Sequence, residues 1–141
     1  MNGKTFVDSN VLIYGHDVDA GWKHDMAKKI MQELWNERSG VLSMQVLQEF
    51  YVNVTRKIAT PLAKDKARLV VTTYTTWCME STPAELAAAF RAEDEAQIGF
   101  WDALILACAA KSGAKRLLSE DLNTGQTITG VLVENPFARG A

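Results

Sequence analysis

The chain has 141 residues, 48% of them hydrophobic and 23% charged, which suits one folded domain with a buried core and excludes a disordered chain. Fifteen Lys and Arg stand against 17 Asp and Glu, and the formal charge of −2 excludes a generic basic nucleic-acid binder, though not an enzyme that meets nucleic acid through metal ions. Two cysteines, Cys78 and Cys108, without CxxC spacing, exclude a disulfide scaffold and a structural zinc site. The first residues show no basic segment followed by an apolar run, and no stretch approaches the roughly 20 apolar residues of a membrane span. A cytoplasmic protein with no membrane partner is the expectation.

Thr5-Phe6-Val7 reads as a short strand ending in the turn or cap chemistry of Asp8-Ser9-Asn10. From Trp22 to about Arg38, Met26, Ala27, Ile30, Met31 and Leu34 make one apolar helical stripe. Gly40 to Ser43 is a second strand followed by a cap. The next helix runs from about Met44 to Ile58, with Leu47, Phe50, Val54 and Ile58 facing inward. Ala63 to Tyr74 repeats the pattern, so Val70, Val71, Tyr74 and Trp77 belong to the core or to a self-association surface. Thr82-Pro83-Ala84-Glu85 combines an N-cap threonine, a proline in the first helical turn and a glutamate three residues after the cap. Phe100 to about Ser112 is a helix apolar on nearly every face, closed by Gly113. Arg116 to Ser119 is a third strand, and Thr127-Ile128 and Val131 to Val133 are late strands. Strands alternating with helices predict an α/β fold with a parallel sheet, whose active site lies at the carboxyl ends of the strands.

Four acids fall where such a site would form. Asp8 ends the first strand and Asp121 lies just past the third. Asp102 is the one carboxylate in an otherwise apolar helix, where burial without a donor, cation or metal would be costly. Glu49 projects from its helix away from the apolar stripe, with Asn53 at i+4 and Arg56 at i+7. Each alone has an ordinary structural explanation: a turn cap for the strand-end aspartates, a helix-dipole residue for Asp102, a solvated face for Glu49. Together in one crevice they would repel one another. Divalent Mg²⁺ or Mn²⁺, one or two ions, resolves that repulsion. His16 and His24 read as surface residues, and Trp101 as core packing that fixes Asp102. Arg56 and Lys57 suit either an RNA phosphate or a helix C-terminus.

These segments resemble the PIN-domain ribonucleases, in particular VapC-type toxins of toxin–antitoxin pairs. The resemblance rests on Phe6 to Leu12, on Gln48-Glu49-Phe50-Tyr51, and on Phe100-Trp101-Asp102-Ala103-Leu104-Ile105. Leu118 to Gln126 and Val133 to Phe137 complete it, so it spans almost the whole chain. It implies a PIN-like α/β/α sandwich with a central mainly parallel sheet, one nuclease domain over 1–141. It also implies a metal-dependent endoribonuclease, an RNA substrate, a cognate antitoxin protein and a homodimer. Asp8, Glu49, Asp102 and Asp121 match the family's acidic quartet, Asn10 the polar residue that orders the first aspartate, and Ser119 a hydroxyl that can help hold ligand or phosphate. Glu120, on the opposite strand face, is expected outside the metal site. Two rivals remain: a PIN-like binding module without catalysis, and an aspartyl-phosphate phosphatase using Asp8. The second is weakened by Asn10 standing where such enzymes need an acid.

Overall fold

The computed structural model describes residues 3–138; Met1 and Asn2, part of the stretch read for a leader, lie outside them. Strands β1 (Lys4–Val7), β2 (Gly40–Val41), β3 (Ala114–Leu118), β4 (Thr127–Ile128) and β5 (Val131–Glu134) form one sheet in the order β2-β1-β3-β5-β4. All neighbours are parallel except β4 and β5. Helices α1 (Ser9–Tyr14), α2 (Trp22–Glu37), α3 (Met44–Arg56), α4 (Lys64–Tyr74), α5 (Pro83–Ala96) and α6 (Phe100–Lys111) flank it. This is the expected α/β architecture with a mainly parallel central sheet. No helix among the described residues is long and apolar enough to cross a membrane.

Strand residues Phe6, Val7, Leu117 and Val133 are fully buried, as are Leu12, Phe50, Val54 and Leu106 from the helices around them. Burial of such side chains from water is the main stabilising term. The α2 stripe is narrower than its sequence suggests. Ala27, Met31 and Leu34 are buried, but Met26 is exposed and Ile30 only partly covered. Val70, Val71 and Tyr74 are partly buried and pack on the core with buried Trp77, so they are core residues. Gly40 carries no side chain because Trp77 lies against it; a Cβ there would sit 2.7 Å from the indole ring. Gly113 supplies the left-handed turn, φ +80°, that ends α6 and starts β3.

Helix α1 is missing from the sequence reading. It has six residues, too few for an apolar period to register, and it is started by the Asp8 side chain accepting from the Ser9 N–H at 2.7 Å. Helices α5 and α6 pack through Ala89, Ala92, Ala103 and Ala107, small residues that let the two backbones approach closely. A second tie joins them. Glu85 accepts from the Thr82 N–H at 2.7 Å and from the Thr82 hydroxyl at 2.6 Å, and pairs with Lys111 at 2.8 Å. The capping box read from the sequence thus also clamps the start of α5 to the end of α6.

Hydrogen bonding from Lys111 first, then from Thr82, holds the Glu85 carboxyl down at about 2, below its ordinary 4.5. A depressed acid contributes stability that is complete above about pH 4.5 and fades as the pH falls toward 2. Glu85→Gln keeps an acceptor for the cap and loses the ion pair. We expect a lower Tm than wild type at neutral pH, with the two melting curves converging as the pH is lowered through that window.

Candidate active site: an acidic cleft

The parallel pairing of β1 with β3 sets Val7 opposite Leu118, and the Asp8 N–H donates to the Leu118 carbonyl at 3.0 Å. One step on, Asp8 and Ser119 leave their strands side by side. Ser119 is fully buried, and its hydroxyl donates to Asp8 Oδ2 at 2.8 Å. The Ser119 hydroxyl oxygen in turn accepts from the Asp121 N–H at 3.1 Å and from Asn10 Nδ2 at 3.4 Å. Asn10 Nδ2 also donates to Asp121 Oδ2 at 3.2 Å, and Asn10 Oδ1 accepts from the Glu120 N–H at 3.1 Å. Asp8, Asn10, Ser119 and Asp121 form one network across the carboxyl ends of the two strands.

Glu49 comes from α3. Its Oε2 accepts from the Ser9 hydroxyl at 3.1 Å and its Oε1 from Gln45 Nε2 at 2.9 Å. Asp102 lies in the first turn of α6. Asp8, Glu49, Asp102 and Asp121 all line one cleft of about 520 Å³, together with Gln45, Gln48, Trp101 and Ile105. No lysine or arginine lines it, and among the described residues none of the four acids forms an ion pair.

The electrostatics follow from that composition. Burial raises the Asp8 carboxyl from 3.8 to about 6, against the hydrogen bonds from Ser119 and Ser9, and the charges of Asp121 and Glu49 push the same way. Asp102 is half-buried and also raised, first by desolvation, then by Asp121 and Glu49. A cleft that resists ionising its own acids favours a cation. Among the described residues, however, no three His, Cys, Asp or Glu side chains are already gathered as a ready-made metal cage. Several of the acid oxygens are engaged by Ser9, Ser119, Asn10 and Gln45. This donor set fits a hard cation that keeps part of its water shell and takes one or two carboxylates directly, as Mg²⁺ does, better than a fully protein-caged ion.

The geometry sharpens or changes the reading of individual residues. Asn10 holds the last aspartate of the quartet, not the first. Ser119 is fully buried and bonded to the Asp8 carboxylate and the Asp121 N–H, so it positions those two residues. Asn53 donates to the Glu49 backbone carbonyl, and the carboxylate's amide partner is Gln45, four residues earlier. His16 is not a surface residue: its ring lies edge-on to Phe50 and Tyr74, and burial pushes it down to about 4, with nearby His24, Lys66 and Lys28 adding to the shift. Trp101 is not core packing; it is 65% exposed at the cleft. Glu120 lies away from the acids, as expected, bonded to Tyr14 and Lys23. Arg56 and Lys57 are exposed and do not line the cleft. Gln45, absent from the sequence reading, carried the signal of an amide one helical turn before Glu49.

A larger cavity of about 720 Å³ lies between α2 and α4, lined among others by His16, His24, Trp35 and Tyr74. It holds no carboxylate and is separate from the acidic cleft.

Comparison with solved structures finds the same fold. The chain is similar to a toxin–antitoxin complex from Klebsiella pneumoniae at 19% identity and a TM-score of 0.67, covering 95% of this chain and 98% of that one. It is similar to VapC20 of Mycobacterium tuberculosis, a Sarcin-Ricin loop cleaving toxin, at 19% identity and a TM-score of 0.59, covering 81% and 87%. It is also similar to VapBC2 from Rickettsia felis bound to a promoter DNA fragment, at 15% identity and a TM-score of 0.62, covering 93% and 97%. No curated protein sequence matches significantly. The PIN domain profile matches residues 5–126, which include all four acids of the cleft, and the chain belongs to the PIN domain family.

Proposed function

We propose that the chain is a metal-dependent endoribonuclease, acting as one nuclease domain and as the toxin of a toxin–antitoxin pair. The observation that carries this reading is the cleft itself: four carboxylates, no cationic side chain, and an Asp8 raised to about 6. The solved structures of similar fold support it, since those described above are toxin or toxin–antitoxin structures. Their level of identity supports the fold, and the acids of this chain support the chemistry.

Asp8, Asp102 and Asp121 would hold Mg²⁺ or Mn²⁺, one or two ions, with Glu49 completing the negative cleft. The ion supplies positive charge for the phosphate and acidifies water near neutral pH. Asp8 must be deprotonated for this, and the Ser119 hydroxyl and Ser9 amide stabilise that form. Glu49, exposed and held by Ser9 and Gln45, would orient the water that attacks the phosphodiester. Asp121 is oriented by Asn10. No covalent enzyme intermediate is needed, and Asp8 bonded to Ser119 and Ser9 at the cleft floor is poorly placed as a phosphoryl acceptor.

A cognate antitoxin would silence such a cleft most simply by placing an arginine among the carboxylates. A homodimer is part of the same proposal. The test is incubation of the purified chain with structured RNA in Mg²⁺ or Mn²⁺. Cleavage that vanishes on chelation and returns on adding the ion is the expected outcome. Undiminished cleavage in chelator rejects the metal mechanism, and absence of turnover on total cellular RNA favours the non-catalytic binding module.

A further inference from the structure

We propose that Trp101 is a stacking platform for an unpaired nucleobase next to the scissile phosphate, and so sets how this chain grips its RNA. The inference rests on the nuclease reading of the cleft and deepens it.

Trp101 is 65% exposed, the second-highest exposure among the large apolar side chains of the described residues, although it belongs to the most apolar of the described helices. It stands in the first turn of α6, directly before Asp102. Both line the acidic cleft, with Ile105 one turn further along. Its indole is braced edge-on by Phe100, with ring centroids 5.1 Å apart, and Phe100 is backed by Phe90 at 5.9 Å. Beyond that contact the indole is largely open to water, where exposed apolar surface is unfavourable.

The cleft gives it a use. A polyanion entering four carboxylates finds no lysine or arginine on the walls. Charge neutralisation from a metal ion can hold one phosphate, but a flexible strand needs a second anchor that does not depend on charge. Aromatic faces supply that anchor to any unpaired base, with little sequence preference. The remaining wall groups, the amides of Gln45 and Gln48, suit the polar edges of a base. A protein face that brings no cation to the acids is the less favoured occupant, because covering Trp101 would also desolvate the carboxylates and amides around it.

The experiment has two arms. In the first, single-stranded oligouridylate is titrated into wild type and Trp101→Phe in Mg²⁺, and tryptophan fluorescence is followed. Most of the quenching is expected to disappear in Trp101→Phe, although Trp22, Trp35 and Trp77 remain. In the second, steady-state cleavage of a short RNA is compared in wild type, Trp101→Ala and Trp101→Phe. KM is expected to rise about tenfold in Trp101→Ala with kcat within about twofold, and Trp101→Phe to recover most of the loss. Equal quenching in wild type and Trp101→Phe overturns the proposal, as does a loss confined to kcat. A change of sedimenting mass in Trp101→Ala also overturns it, by making this indole a contact between copies. If wild type shows Trp101-dependent quenching but cleaves no RNA, the platform stands and the nuclease reading falls.

Discussion

Asp8→Asn is expected to lower RNA cleavage by about a hundredfold or more and, at the same time, to make the metal-free protein harder to unfold at neutral pH. The two effects have one cause. Asp8 is 5% exposed and its carboxyl is raised from 3.8 to about 6, chiefly by burial. Ionising it in the fold opposes folding, and at 1.36 kcal/mol per unit the penalty is about 3 kcal/mol. Asparagine removes the charge but presents amide hydrogens to one of the two donors, Ser9 or Ser119, so the net gain is smaller, about 1–2 kcal/mol. The pH dependence follows the raised value. The Asp8 contribution to stability is greatest below pH 3.8 and is lost as the pH rises through 6, so the variant should fall about 1–2 kcal/mol short of wild type in acid and exceed it above pH 6. Urea unfolding in chelator between pH 4 and 8 measures this. A variant less stable than wild type at pH 7.5 would show that the acid is not strained in the empty cleft. In excess Mg²⁺ the order should reverse, because the cation binds the folded carboxylate and stabilises wild type by mass action.

Ser119→Ala should cost roughly 10- to 100-fold in metal affinity or turnover without removing any acid from the cleft. The hydroxyl is the hub of the network: it donates to Asp8, and it accepts from the Asp121 backbone and from Asn10. Without it a fully buried site loses the donor that favours the ionised form of Asp8. Two readouts separate this from simple loss of a contact. The pH below which metal binding weakens should move upward from about 6, since the group opposing the desolvation of Asp8 is gone. Thermal stability should drop by about 1–3 kcal/mol, the range for an unsatisfied buried partner. Calorimetric titration of Mn²⁺ at several pH values tests the first point, and an unchanged pH dependence would assign Ser119 to packing alone.

Much of the molecule was legible because its periods are strong. The parallel strands read as short apolar runs, and α2, α3 and α6 as helices, since their buried positions recur at helical spacing. The four acids are legible as a set and through the family motifs that carry them, since each alone has an ordinary place in its element. A carboxylate amid apolar residues, as at Asp102, is a conflict that a site resolves. What failed to show depended on direction. Apolarity on every side made Trp101 look buried, but a helix whose first turn opens on a cleft leaves that turn uncovered. The resemblance pairs Asn10 with Asp8, whereas α1, too short to show a period, carries its amide from β1 to Asp121 past the end of β3. His16 sits in polar sequence yet packs on Phe50 and Tyr74, partners supplied by α3 and α4.

The overall charge of −2 takes on a different meaning once the cleft is known. Four of the acids are concentrated in one place, and the rest of the chain is weakly positive. RNA affinity should therefore weaken both in chelator and at high salt.

The network that joins Asp8 to Ser119 closes a loop of 111 residues. Pairing so distant in the chain forms late, after local helices, because its ends must first find each other. Domains emerge from the ribosome N-terminal end first. Asp8 and Glu49 are therefore made well before their companions Asp102 and Asp121. The growing polypeptide has no complete acidic cleft until β3 docks beside β1. The proposed nuclease activity would thus be withheld by topology during synthesis, leaving an interval before docking in which a partner protein can meet the chain.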